Sequence, residues 1–165
     1  INGWNKRCYG EDIMSILNPV SRTEVLLSLE IKGKEALDYY NTQNSTSIPM
    51  QYQNVKFKTP SDGSAYVRFM VNFGTTAEKV TTTDESRQAG VVIIKTHTPK
   101  SKGRFTAMEL SSTFEDFFDS IQYANFSLRV NQVASGIEAG VEGEYWTERT
   151  FVYFDYIKKG INPNG

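Results

Sequence analysis

The spacing of apolar residues predicts a helix that begins near residue 21. Residues 21–24 read Ser-Arg-Thr-Glu, the pattern of a capping box, in which the serine hydroxyl and the glutamate carboxylate each accept a hydrogen bond from a free backbone N–H group. Apolar or small residues then recur at steps of three and four, at Leu26, Leu29, Gly33, Leu37 and Tyr40. Residues 25–31 also alternate with a period of two, as a strand would, but the cap favours a helix.

A second helix is predicted over residues 101–120. Its apolar stripe again follows steps of three and four, at Ala107, Leu110, Phe114, Phe117 and Ile121, and Phe118 widens it. The carboxylates of this segment lie off the stripe, at Glu109, Glu115, Asp116 and Asp119. We therefore expect the aromatic stripe to pack on the sheet face that carries Phe69 and Val71.

Period-two alternation and β-branched runs predict the strands. A short strand is expected over residues 52–57, and after the Thr59–Gly63 turn comes a strand with one buried face, formed by Val67, Phe69, Val71 and Phe73. The continuous run at 91–94 predicts a strand covered on both faces. Alternation at 126–130 predicts a further strand, and residues 145–156 predict a long final one. Between these two, Gly136, Gly140 and Gly143 indicate a loop.

Residues Gly74–Gln88 are rich in threonine and charge and show no apolar period. This pattern predicts a long loop between two strands. Loops of this length without secondary structure are uncommon in compact domains, and those that occur are often functional.

The order of these elements predicts an α+β fold, in which a mixed, mainly antiparallel sheet packs against two helices. We predict a single domain over residues 22–157 and a C-terminal tail over 158–165. Residues 1–21 are interpreted as an N-terminal arm or an upstream extension. Met14 is a candidate start of the native chain, which would make 1–13 a read-through product, and a flexible arm is the alternative.

Composition indicates an ordinary globular protein. Of the 165 residues, 39% are hydrophobic and 22% charged, and the net charge of −1 gives no basic excess of the kind a dedicated nucleic-acid binder uses to neutralise phosphates. The single cysteine, Cys8, cannot form an internal disulfide. No run approaches the roughly 20 apolar residues of a bilayer span, so no membrane partner is expected.

The reactive side chains do not combine into a recognisable site. His97, the only histidine, lies in a predicted strand and is interpreted as a strand side chain with a local partner. Adjacent carboxylates occur at 84–85 and 115–116, and both pairs are interpreted as solvated or contact groups. No nucleophile elbow and no phosphate-binding glycine loop is present. We therefore predict no enzymatic activity, no cofactor and no metal.

Several short segments, taken in order, resemble the strands and turns of phage tail-terminator proteins. They are an opening strand and turn (52–57 with Pro60), a second strand (65–69), a third strand with a Thr-Pro turn (90–99), a loop into the second helix (103–107) and a closing strand after 144–146. The resemblance spans residues 22–157. The chain departs from the family pattern at Lys56 and at 151–154, where the family often has proline.

The chain resembles in particular the minor tail protein U family of lambda-like phages. The resemblance implies a structural subunit of the virion, assembled in the host cytoplasm and placed at the head-proximal end of the tail. Such subunits form a hexameric ring that caps the tail tube, stops its polymerisation and provides the surface joining tail to head. The implied partners are further copies of the chain, the tail-tube protein and a head-completion or neck protein. DNA only passes through the ring lumen.

The polar loop is the candidate assembly interface, expected to be mobile in the free subunit and ordered in the assembly. Its charged residues are Glu78, Lys79, Asp84, Glu85 and Arg87. Charges of this kind set the register of an interface without an aggregation-prone apolar patch. Two alternatives stay open. One is a neck or head–tail joining protein, or a tail-tube subunit, of related fold. The other is an enzyme or nucleic-acid-binding module.

Overall fold

The computed structural model describes residues 21–79, 85–102, 104–119, 121 and 127–159. Two helices pack on one face of a five-stranded sheet, which confirms the predicted α+β fold. The elements in chain order are α1 (Arg22–Asn44), β1 (Met50–Tyr52), β2 (Tyr66–Lys79), β3 (Glu85–Pro99), a short 3-10 helix (Lys100–Lys102), α2 (Phe105–Asp119), β4 (Leu128–Glu142) and β5 (Tyr145–Lys159). The strand order is β1-β2-β3-β5-β4. β1 pairs with β2 in parallel, and the other neighbours are antiparallel.

The capping box fixes the start of α1. The backbone N–H of Ser21 donates to the Glu24 carboxylate at 2.9 Å, and the N–H of Glu24 donates to Ser21 Oγ at 3.2 Å. The helix therefore prevails over the period-two pattern of residues 25–31. At the other end Ser45 adopts the left-handed region (φ 52°). The Asn41 side chain then binds both backbone groups of Ile48, which directs the chain into β1.

The core lies between the two helices and one face of the sheet. Phe69 of β2 is 1% exposed, and its ring centroid lies 6.3 Å from that of Phe118 on α2. Leu110 and Phe114 are buried in this layer as predicted. Phe117 is only partly buried and lies beside α1. Steps of four from Leu110 lead to Phe118, which therefore takes the core position predicted for Phe117.

The two faces of the sheet differ in cover. We call the side under the helices the helix face and the opposite side the open face. Val92 and Ile94 lie fully buried on the helix face, whereas Val91 and Ile93 are partly exposed on the open face. The prediction that both faces of this strand are covered is therefore wrong, because both described helices pack on the same side.

Two predicted boundaries differ from those in the structure. β1 ends at Tyr52 rather than at residue 57, because Asn54 has a φ of 60° and the chain turns there. The predicted glycine-rich loop is largely strand: β4 continues through Gly136 and Gly140, and the turn into β5 lies at Gly143. The register of β4 with β5 shifts between 130 and 132, 134 and 137, and 138 and 140. Glycines with positive φ in a strand mark bulges of this kind.

Candidate assembly interface

The predicted loop at 74–88 is a β-hairpin in the described residues. Pairing of β2 with β3 continues from Ala77 opposite Gln88 to Lys79 opposite Ser86. We call residues 74–79 and 85–90 the hairpin arm. Its β3 strand also pairs with β5, as far as Glu85. The loop prediction is wrong because β5, far along the chain, completes the ladder, and a local pattern does not reveal such a partner. Residues 80–84 lie outside the described part of the chain.

A buried glutamine ties the base of the arm to the core. Gln88 Nε2 donates to the carbonyl oxygen of Gly74 at 2.6 Å, and the Tyr156 hydroxyl donates to Gln88 Oε1 at 2.5 Å. Between Phe73 and Ala77 the β2–β3 register shifts, so a bulge lies at the base. The satisfied side chain of Gln88 makes the base of the arm an anchored structure.

Gly90 lies at the base of the arm, where the Phe154 ring packs directly on the backbone. A Cβ atom at this position would lie 2.3 Å from Cζ of Phe154 and 2.8 Å from the carbonyl oxygen of Asn72. Non-bonded heavy atoms do not approach each other this closely, so the packing of the Phe154 ring on the backbone requires glycine at this position.

Four of the five residues predicted as an assembly interface belong to the arm. They are Glu78, Lys79, Glu85 and Arg87, and Glu78 pairs directly with Arg87. Asp84 lies outside the described residues. Arg87 is exposed, and its Nε lies 4.0 Å from Oδ1 of Asp155. The fold therefore brings these four positions together at one end of the sheet.

Asp155 lies at the centre of a charged cluster beside the arm. The sequence analysis did not predict this cluster. Its Oδ2 accepts hydrogen bonds from Arg129 Nη2 and from Asn131 Nδ2, each at 3.0 Å. The signal in the sequence is an aspartate between two aromatic residues of a long strand, a place where a charge needs a partner. The cluster links β4, β5 and the arm on the open face.

A second buried charge holds α2 against the sheet. Glu148 of β5 is 0% exposed. Its Oε1 accepts from Arg104 Nη2 at 3.1 Å and Nε at 3.3 Å, and its Oε2 accepts from Ser111 Oγ at 3.4 Å. The Arg104 guanidinium also lies over the Trp146 ring, 5.1 Å from its centroid. These contacts position α2 against the sheet.

His97 has the local partner predicted for it. Its ring stacks on Tyr66 with a centroid distance of 4.2 Å, and its Nε2 lies 3.6 Å from Glu142 Oε2. Burial lowers the pKa of His97 below its ordinary value, against the opposing charge of Glu142. The hydrogen bond from Lys95, at 2.8 Å, holds the pKa of Glu142 below its usual range.

Other described regions offer little for chemistry. A surface pocket beside β1 and β2 is lined by Gln51, Tyr52, Gln53, Asn54, Arg68 and Met70, and contains no carboxylate, histidine or cysteine. Within the described ranges no three His, Cys, Asp or Glu side chains gather as metal ligands. Neither described helix is long and apolar enough to cross a membrane.

Comparison with known proteins gives the family. A solved protein structure that is 18% identical has the same fold: the match covers 78% of this chain and 92% of that chain, with a TM-score of 0.57. No curated protein matches the sequence. The sequence model of a family described as phage tail terminator protein matches residues 34–148, which include α2 and all or part of each strand. The chain therefore belongs to the phage tail terminator family and is a structural protein of the phage tail.

Proposed function

We propose that this protein forms a homo-hexameric ring at the head-proximal end of the tail, caps the tail tube and ends its polymerisation. The same ring provides the surface that joins the tail to the head through a head-completion or neck protein. Family membership supports a tail component of this class. The hairpin arm is the observation that carries the docking role, because four of the five proposed interface positions lie in it, at one end of the sheet.

The arm suits docking because it is anchored before the partner arrives. Its β3 strand is bonded to a strand on each side, and Gln88 ties its base to Tyr156. An element ordered in the free subunit loses little conformational entropy on binding. Charges on such an element set register and specificity more than affinity. We therefore assign contact with the tube to Glu78, Lys79, Asp84, Glu85 and Arg87.

Electron microscopy of purified protein separates this proposal from its structural rivals. A terminator should stop at single rings, whereas a tail-tube subunit should polymerise into long tubes. A neck or joining protein should bind heads and leave purified tubes unbound. Single rings that bind the ends of tail tubes are the expected result.

Charge reversal in the arm tests the docking role. The double variant D84K/E85K should fold and form rings, since it leaves the buried core under the two helices unchanged. It should bind tube ends poorly, and phage carrying it should produce tubes of abnormal length and unattached heads. The matched control is K56E/K58E, which reverses two exposed charges in the loop between β1 and β2 and should behave as the parent protein.

Two outcomes would contradict the proposal at different levels. Tails of normal length joined to heads at normal efficiency in D84K/E85K phage would exclude the arm as the docking element. Normal tails after deletion of the whole gene would exclude the terminator function itself.

A further inference from the structure

The open face combines an apolar stripe with a basic border. Partly buried or exposed apolar side chains follow one another across four strands: Met70, Val91, Ile93, Ala134, Ile137, Phe151 and Tyr153. Ile137 and Tyr153 are each 43% exposed, and the Phe151 and Tyr153 rings stack 6.4 Å apart. Neither described helix covers this stripe. A contiguous apolar patch with a polar rim is typical of a protein interface.

The charges around this stripe are mainly positive. Five cations flank it, and three carboxylate positions share this face; the cations are Arg68, Arg87, Lys95, Arg129 and Arg149, and the carboxylates are Glu78, opposite Arg87, Glu142 and Asp155. Lys95 is already paired with Glu142, and Arg129 with Asp155. Arg149 has no ion pair in the part of the chain that the structure describes, and its Nε, like that of Arg129, is buried there without a hydrogen-bond partner. Because Arg149 is partly exposed, the rest of its guanidinium group can pair with a carboxylate from outside.

The opposite side of the subunit has the complementary character. α2 carries four carboxylates and no cation, and α1 carries four carboxylates against three cations. On the outer side of α2, Phe105 is 70% and Met108 54% exposed. Asp116 and Asp119 follow on the same side, both exposed and without an ion pair in the part of the chain that the structure describes. The outer side of α2 is thus apolar at one end and acidic at the other.

The β4 edge of the sheet is poorly suited to the alternative, strand-to-strand contact. The register of β4 with β5 shifts three times, around Gly136 and Gly140 among others. Bulges on an edge strand hinder pairing with the edge of another chain. Contact between subunits through the faces of the domain is therefore favoured over pairing at β4.

We propose that the open sheet face of one subunit docks on the outer side of α2 of a second copy of this chain. The stripe around Phe151 covers Phe105 and Met108, and Arg149 lies toward Asp116 and Asp119 of the neighbour. Because two different faces meet, the contact is heterologous, and repetition around an axis closes a ring. The inference rests on the proposed ring and names the surfaces that build it.

A charge-swap experiment tests the pairing of these two faces. In the R149E variant a carboxylate would face Asp116 and Asp119 of the neighbour, and in the D116K/D119K variant two lysines would face Arg149, so neither should form rings alone. Like charges at the contact should weaken ring formation by about tenfold or more. Mixed in equal amounts, the two variants should alternate and restore rings with an even number of subunits. The control K58E reverses an exposed charge that belongs neither to the apolar stripe nor to α2, and it should form rings as the parent does.

Light scattering after size-exclusion chromatography and negative-stain images measure the result, and circular dichroism checks folding. Rings formed by either variant alone, or no rings in the mixture, would overturn the pairing while leaving the terminator function standing. A lowered melting temperature of the R149E monomer together with failed mixing would assign Arg149 to contacts within its own subunit and overturn the pairing. Absence of rings in the parent protein would overturn the proposed function as well.

Discussion

The helix face and the open face are formed by alternate residues of the same strands, yet they are stabilised in different ways. On the helix face Val92 and Ile94 are fully buried, and the buried carboxylate of Glu148 is held by Arg104. On the open face the apolar side chains keep part of their surface in water, and charged groups border them. The helix face should therefore determine the stability of the single subunit. The open face is left to carry contacts that a neighbour completes.

Deleting the same side chain from each face tests this contrast most strongly. Phe114→Ala removes a fully buried ring and should lower the free energy of unfolding by about 3–5 kcal/mol. Phe151→Ala removes the same atoms from a partly exposed position and should cost about 1 kcal/mol or less in the monomer. Urea unfolding at a concentration where the protein is monomeric measures both. Equal costs would show that the open face is part of the subunit's core.

Breaking an ion pair on each face should give the next largest effect. Arg104→Ala leaves the Glu148 carboxylate buried with only the Ser111 hydroxyl, and should cost about 3 kcal/mol. Lys95→Ala leaves Glu142, which is 43% exposed and can be hydrated, so its cost should be about 0–1 kcal/mol. The same unfolding measurement compares them, and a larger cost at Lys95 would contradict the assignment.

Enlarging a small side chain on each side of the sheet should have a smaller effect. A Cβ at Gly33 would lie 2.5 Å from the Phe69 ring, so Gly33→Ala should cost about 1–3 kcal/mol. The added substitution Phe69→Leu should make the change at residue 33 less costly, because it removes the contacted atoms. Ala134→Val on the open face, where side chains are only partly covered, should change stability little. If Gly33→Ala costs as much in the Phe69→Leu background as in the parent protein, the cost comes from backbone strain and not from contact with the Phe69 ring.

The smallest effect should be a pH dependence on the open face. Burial holds the pKa of His97 below its ordinary value of 6.5, so the unfolded chain takes up this proton first as the pH falls. The neutral His97 ring therefore contributes to the free energy of unfolding above about pH 6.5, and this contribution declines as the pH falls below that value. His97→Phe keeps an aromatic ring against Tyr66 and should remove the decline between pH 6.5 and 5, above the range in which Glu142 titrates. An unchanged pH slope would assign the dependence to another group.

The helix face was largely predictable from sequence because its signals are local. The cap at 21–24 and the alternation around Phe69 are each contained in a few neighbouring residues. The arm was not predictable as strand, since its pairing partner in β5 lies far along the chain. Judged from the neighbouring residues alone, Gly136 and Gly140 indicate the end of a strand. Only the pairing of β4 with β5 shows that they lie at bulges within one strand.

The segment proposed as the assembly interface stood out in the sequence, but its structure was not predictable. Charge and threonine content marked residues 74–88, and the fold places four of the five named residues in the arm. The roles of Arg149 and Asp155 were not predicted, because a single charged residue in a strand shows no recognisable sequence pattern. Their meaning depends on which face they share with Arg87, Arg129 and Phe151, and that follows only from the register.

The strand order has a consequence for synthesis on the ribosome. β5 follows β4 in the chain but lies between β3 and β4 in the sheet. Until β5 has emerged, β3 has an unpaired edge, α2 lacks Glu148, and the open face lacks both Phe151 and Arg149. Such non-local pairing makes folding slow and leaves nascent edges open to other chains. A truncated polypeptide would therefore offer neighbours no complete docking surface, and only finished chains would be admitted to an assembly whose subunit number must be exact.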